Sequence, residues 1–280
     1  MSARSYPEPQ ARDVLIEGCA GLYRNPAEQP FKDEDAVTIF ERWTSTDEIE
    51  HAYERIAREE AARSRRESFA WSPEFGYLSP FPDHCGAGLV IAAELHLEGL
   101  HLIGDLPLVL SGLNAVRFCA ESICLDGVRD AAHLFRVSNA GSFGISETDL
   151  VKRARSIFDG VVKQELNARR VLVESNSRHF HDAIARALAI LKSARLISPW
   201  ELLDLISPLR LAASMGFLNR FSRGDAIEIM NKLTSRKNDE FPDNEDGDRL
   251  RDRRDARLAD TINRRFACVS INAKAKEILS

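Results

Sequence analysis

Gly86-Ala87-Gly88-Leu89-Val90-Ile91-Ala92-Ala93-Glu94-Leu95-His96-Leu97 is the stretch whose reading decides the fold. Leu89, Ile91, Ala93, Leu95 and Leu97 alternate with Val90, Ala92, Glu94 and His96. Successive side chains of a strand point to opposite faces, so this period of two predicts a strand with one buried face. Downstream, His133–Asn139 reads as another strand, with Leu134, Arg136 and Ser138 on one side. Gly141 and Gly144 mark the turn that follows it.

The second half changes to a helical period. Ser146 and Asp149 cap a predicted helix carrying Ala154, Phe158, Val162 and Leu166 at intervals of four. Phe180, Ile184, Leu188 and Leu191 make a second apolar stripe. Ser198, Pro199 and Glu201 supply an N-cap, a first-turn proline and an N3 carboxylate, a strong helix start ahead of Leu202, Leu203, Leu205 and Ile206. Residues 236–249 are acidic and poor in apolar side chains, which predicts a mobile linker before a last helix near Leu250. On the N-terminal side, residues 1–13 read as a tail and 26–36 as a polar loop. Ser45 and Glu48 have capping-box spacing for a helix running to about Arg66, whose Glu and Arg run predicts a solvated face.

With 280 residues, 44% hydrophobic and 29% charged, the chain has room for one large or two medium domains. A net charge of −5 gives no global basic field, so nucleic acid is not an expected partner. No stretch approaches the ~18 apolar residues of a membrane helix, and Met1–Arg12 holds no apolar signal core. The expectation is a cytoplasmic protein without a membrane partner. Five cysteines, Cys19, Cys85, Cys119, Cys124 and Cys268, are odd in number and irregular in spacing, which suggests free thiols rather than a disulfide framework or zinc site. His179 and His181 lack acidic or cysteine partners at metal spacing, so no metal site is expected.

Four ordered segments carry a resemblance. Phe75-Gly76-Tyr77-Leu78-Ser79 through Leu100 resembles G-Y-L-T-x-C-P-T-N-x-G-T-G-L-R-A-S-x-x-L-H-L-P of the bacterial protein-arginine kinases, which are ATP:guanido phosphotransferases. Val137-Ser138-Asn139 with Phe143–Glu147 resembles I-S-N-Q-I-T-L-G-x-S-E. Ile190–Ser198 is similar to I-L-K-N-A-R-L-I-S, and Leu209-Arg210-Leu211 with Gly216 resembles R-L-G-I-D-x-G-L. The resemblance covers about residues 52–233. It implies an α+β fold in which a curved, mainly antiparallel sheet packs on helices, guanido-kinase and glutamine-synthetase-like, followed by a C-terminal α-helical domain. The division expected is a tail with a shortened N-terminal remnant over 1–50, an α+β domain over 51–172 and a helical domain over 173–280.

The implied activity is phosphoryl transfer from Mg-ATP to a guanidinium. That chemistry needs cations against the phosphate oxygens and carboxylates to hold the acceptor and take its proton. The family's pattern is degraded at these points. Val90 stands at a phosphate-binding arginine, and Cys19 and Gly21 at two nucleotide arginines. Glu121 replaces another arginine, reversing the charge, while Phe81 and His84 fall at a cysteine and an asparagine. The family's acidic substrate loop has no counterpart. Asp126, beside Gly127, and His96 are the catalytic candidates that the resemblance leaves. Arg117, Arg129 and Arg136 are the arginines able to compensate as phosphate ligands. Arg254, Asp255 and Arg257 lie where the family binds phosphoarginine, with Leu258 in place of the middle arginine.

Losing one preorganised donor costs ~10²–10³ in rate, and an arginine finger carries ~10³–10⁵. The expectation is therefore a catalytically impaired homologue that needs no cofactor. Such a protein would serve as a binding, dimerisation or regulatory module, a homodimer whose protein partner is an arginine kinase or an arginine-phosphorylated protein. The competing expectation is an active Mg-ATP-dependent protein-arginine kinase with rearranged ligands.

Overall fold

The computed structural model describes residues 15–24, 40–44, 49–65, 71–78, 85–123, 131–234 and 248–279. Five strands form one sheet: β1 (Leu15–Arg24), β2 (Phe40–Thr44), β5 (Leu89–His96), β6 (Phe118–Ser122) and β7 (Leu134–Asn139). Their order is β2-β1-β5-β7-β6, and every neighbouring pair is antiparallel. A small hairpin of β3 (Trp71–Ser72) and β4 (Gly76–Tyr77) leads toward β5. Gly86 ties this hairpin to the turn after β7. A Cβ on Gly86 would lie 2.7 Å from both the Phe143 Cα and the Ser142 carbonyl oxygen, and its φ of +96° is strained for any other residue.

The described residues of the first half include three helices: α1 (Ile49–Arg63), α2 (Glu98–Ile103) and α3 (Leu106–Ala115). Helix α4 (Glu147–Glu174) is 28 residues long, which is about 42 Å at 1.5 Å per residue. Its N-cap is Ser146, whose hydroxyl accepts from the Asp149 backbone N–H, as the spacing predicts. The helices α5 (Ser177–Ser193), α6 (Pro199–Ser214), α7 (Arg223–Thr234), α8 (Asp248–Phe266) and α9 (Ala273–Leu279) follow, with the short pair β8 (Leu218–Asn219) and β9 (Ser270–Ile271). Ser198 caps α6 through the Glu201 N–H, again as its sequence predicts. Most of the predicted linker lies outside the described residues, and α8 begins at Asp248, slightly before the expected start. Ser45 and Glu48 also lie outside them.

Buried apolar side chains gather in two clusters. One packs Leu89, Ile91, Ala93 and Leu95 with Phe118, Phe135 and Val137 against Val151, Ala154, Phe158 and Val162 of α4. Phe118 and Phe158 meet edge-on at 6.1 Å. The other joins Phe180, Ile184, Leu191, Leu202, Ile206, Leu258, Ile262 and Phe266 of the helical half. Each buried Val, Leu, Ile or Phe among them contributes roughly 1.5–3 kcal/mol by leaving water. Helix α4 belongs to both clusters: residues up to Ala168 line the first, and Leu172 and Val173 enter the second. One rigid rod thus holds the sheet and the helical half in register.

The alternation in β5 predicts one buried face, and here the structure differs. Ala92 and His96, on the second face, are also buried. Helix α6 covers the His96 end, where His96 Nε2 lies 2.8 Å from Ser207 Oγ.

Candidate functional site

The second face of the sheet is built by cross-strand register. Ala92 pairs with Gly21 on one side and Ser138 on the other, and Ser138 pairs with Cys119. One step along, Glu94 pairs with Arg136, and Arg136 pairs with Glu121. Val90, half-buried, pairs with Tyr23. Residues directly opposite on adjacent strands have Cβ atoms ~4.5–5.5 Å apart, so Glu94, Arg136 and Glu121 form a continuous row.

Arg136 donates to Glu94 Oε1 from Nη2 at 2.7 Å and from Nε at 3.3 Å. Its side chain is 42% exposed and that of Glu94 16% exposed. Glu121 is exposed on the far side of Arg136. The row therefore carries two carboxylates and one guanidinium, and the guanidinium is already engaged.

Arg117, another expected phosphate ligand, is not brought to this row. Arg117 is exposed in the turn between α3 and β6, with a φ of +60°. Its carbonyl accepts from the Ala140 N–H. It is four positions before Glu121, or about 13 Å along the strand. Arg129 lies outside the described residues, as do Asp126, Phe81, His84 and Cys124. Cys19 lies in β1 at the register irregularity between Leu15 and Ala20. Of the other thiols, Cys85 and Cys119 are half-buried and Cys268 is exposed.

His96 is fully buried and surrounded by side chains that the sequence reading did not gather. Ser207 on α6 lies 2.5 Å from Glu98 Oε2 and 2.9 Å from the Ala132 carbonyl. Glu98 Oε2 also meets His133 Nδ1 at 2.6 Å. The His133 ring stacks on His101 with centroids 3.5 Å apart. Burial holds His96 well below the ordinary histidine range, helped by the nearby cations Arg210 and Arg169 and by His133. A neutral His96 that donates from Nε2 to Ser207 leaves the hydroxyl proton for Glu98. Its Nδ1 is then a bare acceptor that carries no proton, and it has no hydrogen-bond partner among the described residues.

Below this cluster lies a buried ion pair, Glu165 with Arg169, at 2.7 Å. Glu165 also accepts from the backbone N–H groups of Gly99 and Leu100 at 2.9 Å each, satisfying the start of α2. Burial raises the Glu165 carboxyl, against the lowering pull of Arg169 and those two N–H groups. A Cβ on Gly99 would lie 2.8 Å from Glu165 Oε1, so the glycine makes room for this cap. One signal for the cluster is visible in the sequence: Arg210 interrupts an otherwise apolar run of α6 and is buried there. Glu98, Glu165 and Arg169 read individually as ordinary surface charges of helices.

In the helical half, Arg254, Asp255 and Arg257 share one turn of α8. Arg254 Nε lies 3.2 Å from Asp255 Oδ1, both side chains are largely covered, and Arg257 is exposed. The Asp255 carbonyl accepts from the Ile197 N–H, and Asn263 donates to the Ala194 carbonyl, which pins the loop before α6 onto α8. Leu258 is buried in the helical core, so a cation at that position would be excluded by packing. Among the described residues no group of three metal-binding side chains is found, and no helix is long and apolar enough to cross a membrane.

Comparison with known proteins gives two family matches. The ATP:guanido phosphotransferase C-terminal catalytic domain matches residues 33–168, and the C-terminal domain of protein-arginine kinase McsB matches residues 177–277. A protein-arginine kinase of Clostridium acetobutylicum is 27% identical over 201 residues, covering 68% of this chain and 59% of that protein. One from Bacillus cereus is 28% identical over 162 residues, covering 58% of this chain and 46% of that protein. The chain thus spans about half the length of the curated relatives it matches. Among solved structures, lombricine kinase is similar over 45% of this chain and 35% of its own, at a TM-score of 0.35 and 19% identity. A duplicated taurocyamine kinase from Schistosoma mansoni is similar over 56% of this chain and 23% of its own, at 0.39 and 11%. The two family matches run in order along the chain and leave outside them only residues 1–32, 169–176 and 278–280. This chain belongs to the ATP:guanido phosphotransferase family, in its bacterial protein-arginine kinase branch.

Proposed function

We propose that this chain is a catalytically impaired protein-arginine kinase homologue acting as a binding and dimerisation module. The observation that carries the reading is the row Glu94–Arg136–Glu121, in which the guanidinium facing the open sheet is paired with Glu94 at 2.7 Å and followed by a second carboxylate. A triphosphate is stabilised by converging cations, and a carboxylate in their place repels it. The described residues of this face do not fit Mg-ATP: Val90 brings neither donor nor charge, Glu121 brings the wrong sign, and Arg117 lies at the far turn. No phosphoryl-transfer chemistry follows from them.

In this reading the module acts as a homodimer and engages a protein, either an arginine kinase of its own family or an arginine-phosphorylated protein. Arg254 and Arg257, one turn apart on α8, are the groups offered to a phosphoarginine, because a guanidinium matches phosphate oxygens bidentately. Incubation of the full chain with γ-labelled ATP and an arginine-rich protein tests the proposal. It predicts no acid-labile label on arginine. Labelled phosphoarginine would establish the competing reading, an active kinase.

A further inference from the structure

The polar cluster between the sheet and α6 joins four elements. His96 comes from β5, Glu98 and His101 from α2, His133 from the turn Ala131–His133, and Asp204, Ser207 and Arg210 from α6, with Glu165 and Arg169 of α4 beneath. Ala132 and His133 both have positive φ, +57° and +50°. Such conformations are costly for residues other than glycine and persist only where their surroundings hold them. Here three contacts do so. Asp204 accepts from the Ala132 N–H at 2.7 Å, the Ser207 hydroxyl lies 2.9 Å from the Ala132 carbonyl, and the Leu97 N–H donates to the His133 carbonyl at 2.9 Å.

We propose that this His96–Ser207–Glu98–His133–His101 cluster is a proton-operated latch that fastens α6 to the sheet and opens on acidification. His133 Nδ1 faces Glu98 Oε2 at 2.6 Å. Protonating His101, at the solvent edge, places a cation in a ring stacked on His133 at 3.5 Å. Protonating His96 creates an Nδ1–H with no acceptor in a buried site already holding Arg169 and Arg210. Among the described residues, Glu98, Asp204 and Glu165 are the opposing charges in the cluster, and each is already engaged. Opening lets the histidines take up protons in water, so the closed form is favoured above their ordinary value of 6.5 and loses ground as pH falls below it. The released turn feeds directly into β7, which carries Arg136.

Amide hydrogen exchange of the full chain between pH 7.5 and 5.5, corrected for intrinsic rates, tests the latch. Exchange at Ala132 and Leu97 should accelerate relative to Ala93 and Val137 in the sheet. The rise should reach up to about tenfold per pH unit for the proton taken up by His96. The variant His96→Gln keeps a donor for Ser207 without a titratable ring and should remove most of that rise. A ratio that stays constant with pH, or a rise unchanged in H96Q, overturns the proposal. Should H96Q fail to fold, the wild-type histidine C2 proton titration decides: His96 stays neutral to well below pH 6.5 while the latch is closed. A His96 that titrates at its ordinary value, with exchange at Ala132 unchanged, overturns it equally.

Discussion

Glu94 and Arg136 face each other across β5 and β7, with Arg136 Nη2 2.7 Å from Glu94 Oε1, and Glu121 stands next in the same row on β6. The pair is partly exposed, so its contribution to stability is small, about 0–1 kcal/mol. Its weight lies in the field it sets. A polyanion approaching this face meets two carboxylates and one arginine already engaged.

Restoring cations should restore affinity. The double variant Val90→Arg, Glu121→Arg adds two guanidinium groups to the face and removes one carboxylate. Charge-assisted hydrogen bonds contribute about 1.5–3 kcal/mol each, so Mg-ATP should bind at least about tenfold more tightly than to the wild type. Fluorescent-nucleotide titration of both proteins checks this. Equal affinity would mean that the nucleotide does not lie across this face.

Ser207→Ala should cost about 2–3 kcal/mol. Glu98, His96 and the Ala132 carbonyl each lose a partner in a buried site, and an unsatisfied buried polar group costs ~1–3 kcal/mol. Urea unfolding should show a lower midpoint at unchanged slope. A shift below about 0.5 kcal/mol would show that the hydroxyl is not holding the junction.

Two substitutions probe the start of α2. Glu165→Ala leaves Arg169 as a buried cation without its carboxylate and uncaps Gly99 and Leu100, which should cost about 3–5 kcal/mol. Gly99→Ala forces a methyl to 2.8 Å from Glu165 Oε1 and 3.0 Å from Arg169 Cγ, and overpacking of this kind costs about 1–3 kcal/mol. Thermal or urea unfolding of each variant gives both figures. A neutral G99A would require the ion pair to shift freely.

Stability should fall on mild acidification. His96 and His101 are held low in the folded chain, so unfolding takes up protons and the folded state weakens as pH drops below 6.5. For fully buried His96 the slope approaches about 1.4 kcal/mol per pH unit. His101, at the surface, adds less because water screens it. Glu165 works in the opposite direction: its raised carboxyl favours folding at low pH, an advantage lost as pH rises above its ordinary 4.5. Comparing wild type with H96Q at pH 7.5 and 5.5 separates the contributions, since Glu165 is common to both. Parallel pH profiles would contradict the assignment to His96.

Much of the fold is legible in the residues, and the particular cases show why. The alternation of β5 and the N-caps Ser146 and Ser198 are local signals, read by spacing, and the structure places a strand and two helix starts there. The apolar stripe Phe180, Ile184, Leu188 and Leu191 likewise faces the helical core. What the local pattern could not supply is the cover on the second face of β5. It comes from α6, more than 100 residues away, through Ser207. Arg136 and Glu121 are each visible in the sequence, but their adjacency depends on β6–β7 register, and Glu94 joins them only through its β5–β7 pairing. The same long-range pairing hides the cluster around His96, whose members are ordinary polar residues until the chain folds.

Isothermal titration of the full chain with Mg-ATP tests the central claim most directly. A sheet face carrying Glu94 and Glu121 around one committed arginine predicts no binding heat in the micromolar range. A dissociation constant in that range, lost on Arg136→Ala, would contradict it.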